Sequence, residues 1–204
     1  MSPKILLIDA ATNLFQTGIF QNNQWLFFRS SSEDNLAGFF KLIKPIFEKF
    51  TPSRVIFCEG PGKLIGIRST LMLLRIFKMI HPRLQIDSYT SLALAHHIDG
   101  SSSSVCVAKN RDQYYVFQDN RIGLVDRKTL SALGRPIHCL ETQRNLQPDG
   151  DFISVKYDLQ AHVQAIQDFA IPNESITTAY DPQDEYKKWT SLRREIPETK
   201  SETF

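Results

Sequence analysis

The chain has 204 residues, the length of one large domain or two small ones. Hydrophobic residues at 42%, including fourteen Phe, suffice for an ordinary core and exclude a disordered chain, while a net charge of +2 gives no case for a nucleic-acid surface. The three Cys, at 58, 106 and 139, have neither the spacing of a metal pair nor that of a disulfide frame, and read as reduced core thiols of a cytoplasmic protein.

Residues 4–9 read as a buried strand, Ile5-Leu6-Leu7-Ile8, ending in the carboxylate of Asp9. The short apolar run and its Asp9 suit neither a signal peptide nor a membrane span. Two further strands, 17–21 and 25–29, flank Asn22-Asn23, a hairpin turn. A helix follows over 35–50, with Leu36, Phe39, Phe40, Ile43, Phe47 and Phe50 at helical spacing and Pro45 set to bend it. Residues 54–58 are a short apolar strand that runs into Gly60-Pro61-Gly62, a tight turn. The next helix spans 63–80, until His81-Pro82 ends it, and its N-terminus offers N–H groups to an anion or a partner's carboxylate. Leu64, Ile67, Leu71, Leu74 and Met72 are expected to face the sheet. Leu73, Ile76, Phe77 and Ile80 make a second apolar stripe that one sheet can hardly cover. Lys63 reads as a solvated first-turn residue. Residues 85–89 form another strand, and 97–104, rich in Ser and Gly, a linker.

The pattern then begins again. Strands are expected at 105–108, 113–118, 122–125, 138–140 and 152–155, and a helix at 159–169. Phe20-Gln21-Asn22-Asn23-Gln24 is echoed by Phe117-Gln118-Asp119-Asn120-Arg121. Internal duplication and chance both account for so short an echo.

Gly60-Pro61-Gly62-x-x-x-Gly66-Ile67-Arg68 resembles the GPGSFTGLR motif of the YeaZ (TsaB) family of bacterial tRNA threonylcarbamoyladenosine biosynthesis proteins. That family sits in the actin-like, sugar-kinase-like ATPase superfamily. The resemblance covers about the N-terminal half of the chain. It implies an α/β fold of two ribonuclease-H-like halves, each a mixed sheet with flanking helices. The first half would be residues 1–99, a smaller, degenerate second half 104–194, and a tail 195–204.

The departures from the family are as informative. Asp9-Ala10-Ala11-Thr12-Asn13 stands where the family reads IDTST, and alanines offer no hydroxyl to a phosphate. Asp9 reads as the cap of a turn, with a metal-holding role as the alternative. Residues 108–113 resemble the family's DARRGEVY segment if one residue is deleted, but contain no Asp-x-Gly phosphate loop. Mg·ATP needs carboxylates for the metal and backbone N–H groups for the phosphates. The transferase of the family holds its metal with a His-x-x-x-His pair, and none of the five His here has that spacing. Thr70, Leu73, Leu74 and Ile76 replace smaller residues of the family's second helix.

The resemblance therefore implies a catalytically silent scaffold for threonylcarbamoyl transfer to tRNA adenosine, with no cofactor, no metal and no catalytic residue. Asp9, Thr12, Gly60 and Gly62 would mark a degenerate nucleotide site. Phe39, Phe40, Ile43, Phe47, Arg68, Leu73, Ile76 and Phe77 would form a helical interface. The implied partners are the transferase subunit and an associated ATPase, or a second copy of the chain, with tRNA reached only indirectly and no membrane. Two alternatives stand beside this: a small ATPase or sugar-kinase-like phosphotransferase using Asp9 and the Gly60-Pro61-Gly62 turn, and a diverged homodimeric paralogue with no role in tRNA modification.

Overall fold

The computed structural model describes residues 2–32, 36–100, 104–110, 112–133, 137–140 and 152–180. The tail expected at 195–204, and 181–194 of the expected second half, lie outside the described residues.

Strand β1 (Ile5–Asp9) is buried along its whole length, as its uninterrupted apolar run requires. It pairs antiparallel with β2 (Phe15–Gln21), which returns through Asn22-Asn23 to the antiparallel β3 (Gln24–Ser31). Both turn residues have positive φ, 52° and 61°, the backbone twist that a two-residue hairpin favours and that Asn tolerates. Helix α1 (Leu36–Lys49) crosses to β4 (Arg54–Gly60), parallel to β1. Helix α2 (Leu64–Ile80) then leads to β5 (Gln85–Thr90), parallel to β4.

Helix α3 (Ser91–Asp99) was not anticipated from the sequence, and it takes up the first part of the expected linker. It continues past His97 and stops at Gly100, whose left-handed φ of 63° lets its N–H reach the His96 carbonyl at 3.2 Å.

The second half repeats the path of the first. Strands β6 (Ser104–Ala108), β7 (Gln113–Gln118) and β8 (Arg121–Asp126) form an antiparallel meander. Helix α4 (Arg127–Ala132) follows, capped by the Asp126 carboxylate on the Thr129 N–H at 2.7 Å. Next come β9 (Ile137–Cys139), parallel to β6, and β10 (Phe152–Ser154), parallel to β9. Asp119 and Asn120 repeat the positive φ of Asn22 and Asn23, at 51° and 58°. Among the described residues the first sheet runs β5-β4-β1-β2-β3 and the second β10-β9-β6-β7-β8, the same order in each. The short echo in the sequence is thus the trace of a repeated topology.

The chain does not remain in the second half. Helix α5 (Val163–Phe169) packs on α3 and β5, and β11 (Ile171–Pro172) adds to the free edge of β5. Residues 163–172 of the expected second half therefore lie against the first sheet. Within that stretch α5 is shorter than the helix expected from 159, because residues 159–162 make a turn closed by His162 N–H on the Leu159 carbonyl.

The main core lies between the first sheet and its helices. Ile67, Leu71 and Leu74 of α2 face it as expected, whereas Met72 is exposed. All three cysteines are buried, and none forms a disulfide. No helix among the described residues is long and apolar enough to cross a membrane.

Candidate functional site

Asp9, Thr12, Gly60 and Gly62 meet where β1 and β4 end, the edge at which open α/β sheets take ligands. Asp9 is 1% exposed, and its carboxylate is engaged on both oxygens. Oδ1 accepts the Ala11 N–H at 2.9 Å, and Oδ2 accepts the hydroxyls of Tyr89 at 2.5 Å and Tyr157 at 2.9 Å. Burial holds its carboxyl above the usual carboxylate range, and these hydrogen bonds pull it part of the way back. Both phenols are pushed well up by burial and by the carboxylate. Asp9 is thus a cap and a clamp; its hydrogen-bond partners stand where a metal would have to approach.

Beside it, the buried Thr12 hydroxyl both donates to the Leu14 carbonyl (3.0 Å) and accepts its N–H (3.2 Å). It is spent on its own turn.

The start of α2 closes down on this loop. Lys63 N–H donates to the Ala11 carbonyl at 2.6 Å. A Cβ on Gly62 would lie 2.1 Å from the Ala11 carbonyl oxygen, and one on Gly66 2.0 Å from that of Ala10. Glycine at both positions is what lets helix and loop touch backbone to backbone. Gly60 has a φ of 102° and precedes a cis bond to Pro61. The helix N-terminus expected to receive an anion therefore meets a carbonyl of the chain itself. Lys63, expected in solvent, is 4% exposed with its Nζ 4.8 Å over the Phe15 ring, and burial lowers its pKa.

The loop between β6 and β7 is equally self-contained. Asn110 Oδ1 accepts the N–H groups of Asp112 (2.9 Å) and Gln113 (3.0 Å), while the N–H groups of Lys109 and Asn110 go to the Gln113 carbonyl. The residues described here do not fit Mg·ATP: the acid is saturated, the first loop is packed against a helix, and the second uses its amides internally.

The two halves meet across Tyr157. Gln16, 1% exposed, donates to the Tyr157 carbonyl at 2.8 Å and accepts the Leu159 N–H at 2.9 Å. Sequence reading missed Gln16, Tyr89 and Tyr157. Gln16 is a polar residue buried in β2, and nothing local marked it or either tyrosine as part of the site.

The expected helical interface divides. Phe39, Ile43 and Leu73 are buried within the chain, which takes them off any outer face. Phe39 stands edge-on to Phe15 at 5.8 Å, because α1 leans its 39, 43 and 46 ridge onto the sheet. Phe47 and Phe77 are half-buried and lie against each other at 4.1 Å between α1 and α2. Arg68 is half-buried, and Phe40 and Ile76 are exposed. Ile65, Met72, Met79 and Ile80 stand exposed on α2 with Ile76. At about 100° per residue these five positions fall within roughly 100° of arc, a largely apolar face that also holds Ser69.

No family model and no curated protein sequence matches the chain. Solved structures do. A Pseudomonas aeruginosa protein described as similar to peptidase YeaZ superposes with a TM-score of 0.55 at 14% identity, over 88% of this chain and 99% of the other. YeaZ from Pseudomonas aeruginosa gives 0.53 at 14% identity, over 89% and 100%. At such identity the likeness speaks for architecture: this chain has a two-sheet α/β fold like that of the YeaZ structures.

Proposed function

We propose that the chain is a non-catalytic scaffold subunit in tRNA threonylcarbamoyladenosine modification, docking the transferase subunit through α2. The observation that carries this reading is the exposed apolar face of Ile65, Met72, Ile76, Met79 and Ile80 on α2. Phe40 adds an exposed ring on α1. The Gly60-Pro61-Gly62 and Gly66-Ile67-Arg68 motif and the fold shared with YeaZ support the assignment to that pathway. The engagement of Asp9 with Tyr89 and Tyr157 supports a silent role.

The test is reconstitution. The chain is mixed with the transferase subunit, complex formation is followed by light scattering, and modified tRNA is quantified by mass spectrometry. A stable complex with restored modification is expected. A chain that stays monomeric beside the transferase, or that hydrolyses ATP on its own with turnover lost in Asp9→Asn, overturns the proposal.

A further inference from the structure

Glu59 is the second-to-last residue of β4, half-buried, next to the Gly60-Pro61 bond. Burial raises its carboxyl above the ordinary range, against the pull of two hydrogen bonds. Both of those come from neutral groups: Ser88 Oγ at 3.0 Å and Asn173 Nδ2 at 3.3 Å, each on Oε2. No lysine or arginine among the described residues pairs with it.

The Asn173 amide nitrogen is overcommitted. Besides Glu59 Oε2 it lies 3.0 Å from Ser88 Oγ and 3.0 Å from the Thr177 carbonyl. A side-chain amide has two hydrogens, so three acceptors share two donors. A primary ammonium has three donors and a positive charge, which matches three acceptors of which one is a carboxylate.

The segment that brings Asn173 here is held under strain. Ile176 has a φ of 51°, a region that β-branched residues avoid. It is kept there by burial of its side chain, by its N–H on the Asn173 carbonyl (3.2 Å), and by Arg75 Nη2 on its own carbonyl (3.0 Å). Thr178 Oγ1 ties the segment to the Glu59 carbonyl at 2.5 Å, and Tyr180 lies beyond it with its ring 5.4 Å from that of Tyr115 in the second half. Strained backbone that its surroundings over-determine is where proteins keep segments able to change state.

We propose that the polar cluster of Glu59 Oε2, Ser88 Oγ and the Thr177 carbonyl is a binding site for a primary ammonium group, and that the Asn173 amide is its displaceable intramolecular occupant. The Tyr180 ring beside Gly60 adds an aromatic surface that suits a cation. This site is independent of the α2 face and stands or falls without it.

The experiment is a titration of the folded chain with methylammonium chloride, followed by the backbone amide shifts of Glu59, Gly60 and Asn173 to Tyr180. Tetramethylammonium, which carries the charge without donors, and sodium chloride at matched ionic strength are the controls. Saturable shifts confined to these amides are expected with methylammonium alone. Asn173→Ala, which removes the competing amide, should bind roughly tenfold more tightly, and Glu59→Gln should bind at least roughly tenfold more weakly. Absence of saturable shifts in the wild-type chain, equal shifts with tetramethylammonium, or unchanged affinity in folded Glu59→Gln each overturns the site. Affinity that does not rise in folded Asn173→Ala overturns the displacement. The wild-type titration with its control decides the matter even where a variant fails to fold.

Discussion

Tyr157 places its hydroxyl 2.9 Å from Asp9 Oδ2, across 148 residues of sequence. The carboxylate at the end of the first strand is thereby bound to the segment that returns from the second half. This contact joins the two halves at the carboxyl edge of the first sheet, beside the loop that follows β1. Gln16 reinforces it by bonding to the backbone on either side of Asp158.

The clamp has a pH signature. The folded-state pKa of Asp9 lies above that of the unfolded chain, so the folded chain holds the proton more tightly. The stability Asp9 contributes is therefore greatest in acid and is lost as pH rises from about 4 through the folded pKa. Glu59 shifts in the same direction and adds to the slope. The melting temperature of the wild-type chain relative to Asp9→Asn should fall as pH is raised between about 4 and 7. A difference that stays level or grows would mean that Asp9 is not charged at a cost in the fold.

Tyr157→Phe removes one hydroxyl and leaves the ring. The loss should be about 1.5–3 kcal/mol, the usual worth of a hydrogen bond to a charged group. Hydrogen exchange at the Leu159 amide, which donates to Gln16 beside it, should quicken with the change. If stability and exchange are both unaltered, the joint is held by packing alone.

Gly62→Ala tests the approach of α2 to the Asp9 loop. A methyl group placed 2.1 Å from the Ala11 carbonyl oxygen must push helix and loop apart and lengthen the Lys63-to-Ala11 hydrogen bond. Overpacking of this kind costs about 1–3 kcal/mol, and the strained bond adds roughly 1 kcal/mol. Urea unfolding should show a lower midpoint with an unchanged slope. An unchanged midpoint would mean that the loop gives way freely.

Much of the fold was legible because its signals are local. The apolar run at 5–8, the helical spacing of α1 and the Asn22-Asn23 turn each specify an element within a few residues. The glycines at 60, 62 and 66 were visible as a motif, though not what they approach. What stayed hidden was long-range: Tyr89 and Tyr157 on Asp9, Gln16 on Tyr157, and the return of β11 to β5. Lys63 was misplaced for the same reason, since only the tertiary fold seats its ammonium over Phe15. On α2, spacing set Ile67, Leu71 and Leu74 on the sheet face where they lie, but it also put Met72 there, which is exposed, and put Leu73 on the outer stripe, which is buried. Phe39 and Phe40 are neighbours in sequence, and the fold buries one and exposes the other.

That division separates the two helix faces experimentally. Phe39→Ala removes a buried ring that meets Phe15 and Phe40 edge-on, so it should cost about 3–5 kcal/mol and lower the melting temperature sharply. Ile76→Asp and Met72→Asp change side chains that are each 47% exposed, on the side of α2 turned from the sheet. Surface changes of this sort stay within about 0.5 kcal/mol, so both variants should melt with the wild-type chain. Their effect should appear only in association, where a charge set into an apolar contact must be desolvated without a partner. Light scattering of each variant with the transferase subunit should therefore show loss of the complex at unchanged stability. A complex that survives both substitutions would move the docking surface away from α2, whereas a variant that melts early would place Ile76 or Met72 in the core.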